Sequence, residues 1–493
     1  MKKVTVIGAG FSGLSAATCL AHDGFDVTVV EKNSMPGGRA RKFSAQGFTF
    51  DMGPSWYWMP DIFEKYFNKF GKQVSDYYAL ERLDPSYRIY YGKDDFLDIP
   101  GNLEKLHQVF EQLEPGSGKN LNQFLKEGKF KYEIGIHKLV YNPGIRFSEL
   151  IDWDVIKGSV RMQLISSFAS HLRKLFKHPR LLQLLEFPIL FLGATPQDTP
   201  ALYSLMNYAD IVLGTWYPTG GMHQVVAGME KLAREKGVQF LYDSPVDRIN
   251  MNGKGIKSVQ VKENIFASDY YVASADYQFV DQQLLPPSHR NYSKEYWNKR
   301  VMAPSALLYF IGINKKLKGL LHHTLFFDQD FGVHAKEIYE TPQWPSSPQF
   351  YVSCPSKTDP SVAPKEFENL LILIPVAPGL EDTEEIREKY FHLVMSRLES
   401  ILGESIKDHI LYKRSYAHRD FQNDYHAFKG NAYGLANTLM QTANLKPSMI
   451  NKKINNLVYT GQLTVPGPGV PPSLISGQVA AALIAKKEKT NRF

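Results

Sequence analysis

Two cysteines among 493 residues, Cys19 and Cys354, are too few to build a disulfide framework and show neither metal nor redox spacing. Both read as packing residues of a chain held in a reducing compartment. No apolar run is long enough to cross a bilayer; the nearest, residues 182–194, is interrupted by Glu186 and Pro188. The opening MKKVTVIGAG carries the charge of a leader, but its apolar run is short and ends in a glycine turn, which predicts a cytoplasmic chain without a cleaved leader. The net charge of +7 comes without a basic block, zinc spacing or RNA-binding signature. Nucleic acid is therefore not an expected partner, whereas an anionic membrane surface is. There is also no internal repeat and no low-complexity linker. At this length that predicts about two or three domains built from discontinuous segments and packed together.

What is present is the composition of a folded protein, 43% hydrophobic and 22% charged. The aromatic share of 13% suits an enlarged apolar pocket or a membrane-facing surface as well as it suits an aromatic-rich core.

The most informative stretch is residues 3–31. An apolar strand, residues 4–7, ends in Gly8-Ala9-Gly10-Phe11-Ser12-Gly13, a helix follows, Gly24 breaks it, and a second strand, residues 27–30, delivers Glu31. This is a βαβ dinucleotide-binding unit with the acid at the proper distance. Gly8 permits the turn, Gly10 lets a pyrophosphate approach, and Gly13 lets helix and strand pack closely. Phe11 and Ser12 open the helix whose N–H groups face the phosphates. Glu31 is placed to accept from ribose hydroxyls, with Lys32 beside it among the cofactor-facing residues. Gly37-Gly38-Arg39 then sets flexible backbone and a guanidinium where a second phosphate or the flavin end of a long dinucleotide would lie. Nicotinamide enzymes have no need of that second element; FAD does. Phe48, Phe50 and Met52 alternate as a strand ending in a Gly53-Pro54-Ser55 turn that can approach an isoalloxazine ring.

These segments, GAGFSGLSAA and EKNSMPGGRARKFSAQGFTFDMGPSW, together with a glycine- and proline-rich segment near the carboxyl end, resemble the FAD-binding amine oxidase superfamily, and within it the bacterial-type phytoene desaturases of the carotenoid desaturase family. The resemblance extends loosely over nearly the whole chain. It implies an α/β architecture: a Rossmann-type FAD domain (1–85, 222–290 and 430–493), a mixed-sheet substrate domain (86–221 and 291–429) and a helical, membrane-facing insertion over about 100–215. It also carries an adenine contact over to Val246.

Farther along, apolar spacing predicts helices over 103–113, 118–139, 155–185 and 222–236, and a hairpin turn at Asn252-Gly253. Runs 307–313 and 370–376 suggest a second sheet. Near the end, 457–459 reads as a strand and 461–472 as a loop in which Gly461, Gly469 and Val470 lie against a flat ligand. Ser473 is expected to cap a helix ending near Lys486. Gln462 stands where many flavoproteins bind ribitol through Asp.

No Ser/His/Asp or metal constellation competes with a flavin. His322-His323 reads as an exposed strand-end pair without acidic or cysteine partners, not as a metal site. No catalytic side chain can be named. The resemblance implies stepwise desaturation of phytoene towards lycopene without nicotinamide as direct oxidant; since the one readable dinucleotide fold is assigned to FAD, quinone or dioxygen is expected to reoxidise the flavin. Alternatives are a later carotenoid desaturase acting on a hydroxylated or shorter chain, a flavin-dependent carotene isomerase, and a non-catalytic prenyl-lipid escort. Within 160–182, Ile165, Phe168, Leu172, Leu175 and Phe176 form one stripe beside Arg173, Lys174 and Lys177. Given an insoluble substrate, that stripe is expected to dock on the membrane rather than to pack inward.

Overall fold

Strand β1 (Lys3–Ile7) is apolar at Val4, Val6 and Ile7 because it has neighbours on every side. In the computed structural model, which describes residues 1–145 and 166–490, it is the middle of a five-stranded, all-parallel sheet. On one side lie β2 (Asp26–Val30) and Gln239–Leu241, on the other Tyr270–Ala273 and Leu457–Tyr459, with Val6 in register with both Val29 and Val272. A parallel sheet needs crossovers, and these place helices over its faces. Three of them, Phe11–His22 (α1), His223–Glu235 and Val470–Thr490, contribute to the same apolar cluster as the strands.

Helix α1 is held closely on both sides. A Cβ built on Gly13 would lie 2.0 Å from the Gly8 carbonyl oxygen, and one on Gly477 of the carboxyl-terminal helix would lie 2.2 Å from the Ser12 carbonyl oxygen. Real Cβ atoms cannot approach backbone so closely, so both crossings require glycine. That last helix begins at Val470, with Pro471 and Pro472 in its first turn, where the missing N–H groups have no partner to lose. Ser473 is therefore not a cap: its N–H already donates to the Gly469 carbonyl oxygen at 3.0 Å.

A second, seven-stranded sheet runs in the order Ile410–Tyr416, Ser305–Ile313, Glu368–Val376, Phe350–Ser353, His323–Phe326, Tyr87–Gly92, Asp95–Ile99. It is antiparallel except between His323–Phe326 and Tyr87–Gly92. Its central strands carry continuous apolar runs, residues 306–311 and 370–374, because both faces are covered. The expected helices are present at Leu103–Leu113, Ser117–His137 and His223–Glu235, and the Asn252-Gly253 turn joins Arg248–Asn252 to Gly255–Val261.

The expectation of one helix over 155–185 needs correction. Two short helices, Phe168–Leu175 and Pro179–Glu186, occupy its described part, broken by Pro179, which forces His178 out of helical geometry. The proposed lipid-facing stripe also turns inward. Phe168, Leu172 and Phe176 are fully buried, with the Phe176 ring 5.7 Å from Phe110 and the Phe168 ring 6.3 Å from Phe124. Leu175 is half-buried, Arg173 donates to Glu186 at 2.6 Å, and Lys174 and Lys177 are exposed; Ile165 lies outside the described residues. Among the described residues no helix is long and apolar enough to cross a membrane.

The Gly477 crossing yields a direct test. Gly477→Val should push α1 away from the carboxyl-terminal helix at a cost of about 1–3 kcal/mol. A lower thermal unfolding midpoint is expected; an unchanged one would mean that the crossing is not as close as described.

Candidate active site

All five parallel strands deliver their carboxyl ends to one edge, where open α/β sheets bind their ligands. At the end of β1, Gly8 takes a φ of +102° and turns the chain into α1, whose first turn has no side-chain cap. A Cβ on Gly10 would meet nothing within 4 Å, so this backbone faces open space. That space is a groove with about 2240 Å³ free of protein atoms, its solvent mouth included. Of the residues singled out from sequence, Gly8, Gly10, Phe11, Ser12, Glu31, Lys32, Gly38, Arg39, Gly53, Pro54, Ser55, Val246, Gly461, Gly469, Val470 and Ser473 all line it. Gly13 does not; it sits behind the turn and sets the packing there.

Glu31 is held in place from two sides. Its Oε2 accepts from the Ala9 N–H at 2.7 Å, tying it to the glycine turn, and its Oε1 accepts from the Asn33 backbone and side chain, each at 2.8 Å. The Lys32 ammonium reaches across the groove mouth to the Asn423 carbonyl oxygen. Gly37 donates to the Ala9 carbonyl oxygen at 2.8 Å, which fastens the second glycine element beside the first.

Arg39 enters from that element. Its Nη2 donates to the Asn431 carbonyl oxygen at 3.2 Å, its guanidinium lies 5.2 Å from the Tyr425 ring centre, and its Nε is buried without a partner. With the Gln462 amide oxygen turned towards it, Nη2 also donates there at 2.9 Å. Gln462 thus anchors the arginine in this chain. Burial lowers the affinity of Arg39 for its proton, against which the charge of Asp276 works. Burial also raises the Asp276 carboxyl to about 6. A guanidinium with an unpaired buried N–H beside an uncapped helix start suits a ligand that brings negative charge and many acceptors.

Several lining residues had no local signal. Tyr425 ends the helix His418–Tyr425 and His426 follows it; both arrive only through tertiary packing, with the His426 ring stacked 3.8 Å from Phe279. Ser274, Ala275 and Asp276 were findable, since they follow the strand Tyr270–Ala273 at the same carboxyl edge. Away from the charged end the groove wall becomes apolar and aromatic, with Trp56, Trp58, Met59, Met206, Leu308 and Leu373.

His322 and His323 require a correction, because both are buried and not exposed. The His323 ring stacks on Trp56 at 4.0 Å and its Nδ1 lies 2.6 Å from the Tyr351 hydroxyl. Burial pushes His322 down to about 3 and His323 well below its ordinary value, so both are neutral. They pack behind the groove wall, His323 against Trp56 and His322 beside a small separate chamber, where an exposed pair was expected.

The flavin-containing amine oxidoreductase family model matches residues 11–485. The chain belongs to that family. Within it the protein is similar along nearly its whole length to carotenoid desaturases. It is 42% identical to the carotenoid 3,4-desaturase of Haloarcula japonica, with 98% of each chain covered. It is 30% identical to the zeta-carotene-forming phytoene desaturase of Myxococcus xanthus, covering 97% of this chain and 93% of that one. It is 30% identical to the 4,4'-diapophytoene desaturase of Staphylococcus haemolyticus, covering 97% of each. Solved structures share the fold: an oxidoreductase from Methanosarcina mazei (TM-score 0.63, 15% identity, 97% and 99% of the chains) and cyclohexylamine oxidase from Brevibacterium oxydans (TM-score 0.57, 16% identity, 99% of both).

This family member is an FAD-dependent oxidoreductase, and the groove fits FAD on its own terms: an uncapped helix start, a buried acid tied to the glycine turn and an arginine with an unpaired N–H. Removing the Arg39 guanidinium should loosen FAD by at least about tenfold. Arg39→Ala is therefore expected to shed flavin fluorescence on dilution of the purified protein. Full retention would show that Arg39 braces Asn431 and Gln462 without helping to hold the cofactor.

Proposed function

We propose that this protein is a carotenoid desaturase that removes hydrogens from adjacent carbons of an apolar polyene, most directly phytoene in steps towards lycopene. The observation that carries the reading is the continuity of the groove: residues that fit FAD pass without interruption into an aromatic and aliphatic wall at Trp56, Trp58, Met59 and Met206. When bound, FAD supplies the hydride acceptor. The chain itself holds and orients. Its apolar wall grips a hydrocarbon that offers nothing to hydrogen-bond, and keeps water away from the reacting carbons. The desaturase relatives support the same substrate class.

A second reading is later-stage desaturation of an already unsaturated chain. It is favoured by the higher identity to the 3,4-desaturase, 42% against 30% for each of the phytoene-type relatives. Expression in cells that accumulate phytoene, and separately in cells that accumulate lycopene, distinguishes the two. Coloured products from phytoene are expected. Products from lycopene alone would establish the second reading, and none from either would overturn both.

Quinone or dioxygen as the terminal oxidant belongs to the proposal. Added NAD should not be reduced during turnover; stoichiometric NADH would overturn this assignment. Peripheral docking on an anionic membrane also belongs to it, since the substrate resides in lipid. With the apolar stripe buried, the docking contribution of this region falls to its exposed charges. Lys174→Glu with Lys177→Glu reverses two of them, each worth about 1 kcal/mol near anionic lipid. Liposome co-sedimentation at low salt should drop, and an unchanged fraction would remove this face from consideration.

A further inference from the structure

Desaturation releases a proton as well as a hydride, and a groove that excludes water leaves that proton without an obvious acceptor. Where Gly53-Pro54-Ser55 turns past the groove, the wall carries two neighbouring hydroxyls, Ser55 and Tyr351. Ser55 also lines a second, separate space on its far side. This is a chamber of about 20 Å³, enough for a water molecule, bounded by Asp51, Ser55, Tyr217, His322, Ser353 and Asn369 among others. Ser353 Oγ is buried there with no hydrogen bond beyond a loose approach to Tyr351, so the chamber has a polar group for water to satisfy.

The hydrogen bonds around Ser55 have a direction. The Tyr351 hydroxyl donates to Ser55 Oγ at 3.0 Å. Its single hydrogen being used, Tyr351 accepts from His323 Nδ1, 2.6 Å away, and the stacking of Trp56 on that ring fixes its orientation. Ser55 is left with its own hydrogen to donate and one lone pair to offer the groove. Across the chamber stands Asp51, whose Oδ2 accepts from the Met222 N–H at 2.7 Å and Oδ1 from the His223 N–H at 3.0 Å. It has no ion-pair partner among the described residues.

We propose that Ser55 is the proton outlet of the groove, handing the proton lost in desaturation through chamber water to Asp51. The proposal rests on the desaturase reading. As the substrate C–H bond breaks and its electron pair forms the new double bond, Ser55 Oγ takes that proton. Its original hydrogen passes to the water, and a water hydrogen passes to the Asp51 carboxylate, which becomes neutral. The adjacent carbon loses a hydride with its electron pair, for which FAD, when bound, would be the two-electron acceptor, so the step balances. Tyr351 and His323 are positioning residues that hold the wire in one direction.

Burial raises the Asp51 carboxyl to about 6, which suits a group that must take a proton and give it up again. The groups facing it are Lys42, its strand partner; His223 on the helix behind; and His322 and Tyr217 in the chamber, with Asp359 bound to the Tyr217 hydroxyl at 3.1 Å. Of these, His322 is held neutral by its burial. The sign follows: as pH falls through about 6, Asp51 becomes protonated, can accept nothing, and turnover falls.

The test uses the FAD-loaded chain and the carotenoid it accepts, with turnover followed against pH and FAD affinity measured by fluorescence titration. Ser55→Ala should lose at least about tenfold in turnover with FAD affinity within about twofold of the parent, and Ser55→Thr should recover most of the loss. Asp51→Asn should remove the acid limb. Should that variant unfold, Ser55→Ala carries the test alone, since it too should lose the limb. If Ser55→Ala keeps the parent's rate and profile, the outlet is wrong. If it weakens FAD by about tenfold or more, Ser55 is a cofactor contact and the outlet is again wrong. A parent that desaturates no carotenoid overturns the substrate reading instead.

Discussion

Everything at the site hangs on how closely backbone approaches helix α1. On one side the turn at Gly8 touches Gly13, on the other the carboxyl-terminal helix crosses at Gly477, and neither crossing leaves room for a side chain. The two contacts fix the start of α1 within the sheet, and every loop that reaches the cofactor is measured from there. The Gly37 N–H is tied to Ala9, Glu31 to the same Ala9, and Gly461 N–H to Ser476 Oγ on the crossing helix. A small displacement of α1 would therefore move three groove walls together.

The groove divides its chemistry along its length. At the dinucleotide end charges are paired to backbone and amides, so the ligand meets donors and acceptors already oriented. Towards Trp56 and Met206 apolar and aromatic residues come to dominate the wall, and two of its hydroxyls, Ser55 and Tyr351, are bonded to each other. Under the desaturase proposal, this gradient would let one continuous space hold a doubly charged nucleotide and a hydrocarbon without either entering the other's section.

Legibility in the sequence follows the range of the interactions involved. The turn from β1 into α1, the acid at Glu31 and the second glycine element were readable because each is set by neighbours within a few residues. The paired runs at 307–313 and 370–376 were readable as strands, and the structure makes them direct neighbours. What failed was of two kinds. Pro179 broke a helix that apolar spacing had run through it, and Pro471-Pro472 opened the last helix three residues before the cap read at Ser473. Burial then reversed two surface assignments, at His322-His323 and at Phe168, Leu172 and Phe176, because period and polarity state which residues share a face and not what covers it. Tyr425 and His426 reach the groove from more than 380 residues beyond Arg39 and left no local trace.

The order of the parallel strands has a consequence for how the protein is made. The edge strand Leu457–Tyr459 and the helix Val470–Thr490 are translated long after the βαβ unit, yet one completes the sheet beside Tyr270–Ala273 and the other clamps α1. Until they emerge, the glycine turn lacks one of its two supports and the Gly461–Gly469 wall does not exist. The βαβ unit must therefore wait for both before its side of the groove is complete. Assembly of the groove is thereby tied to these late segments, and a product lacking them would be missing one wall of the groove and one clamp on α1.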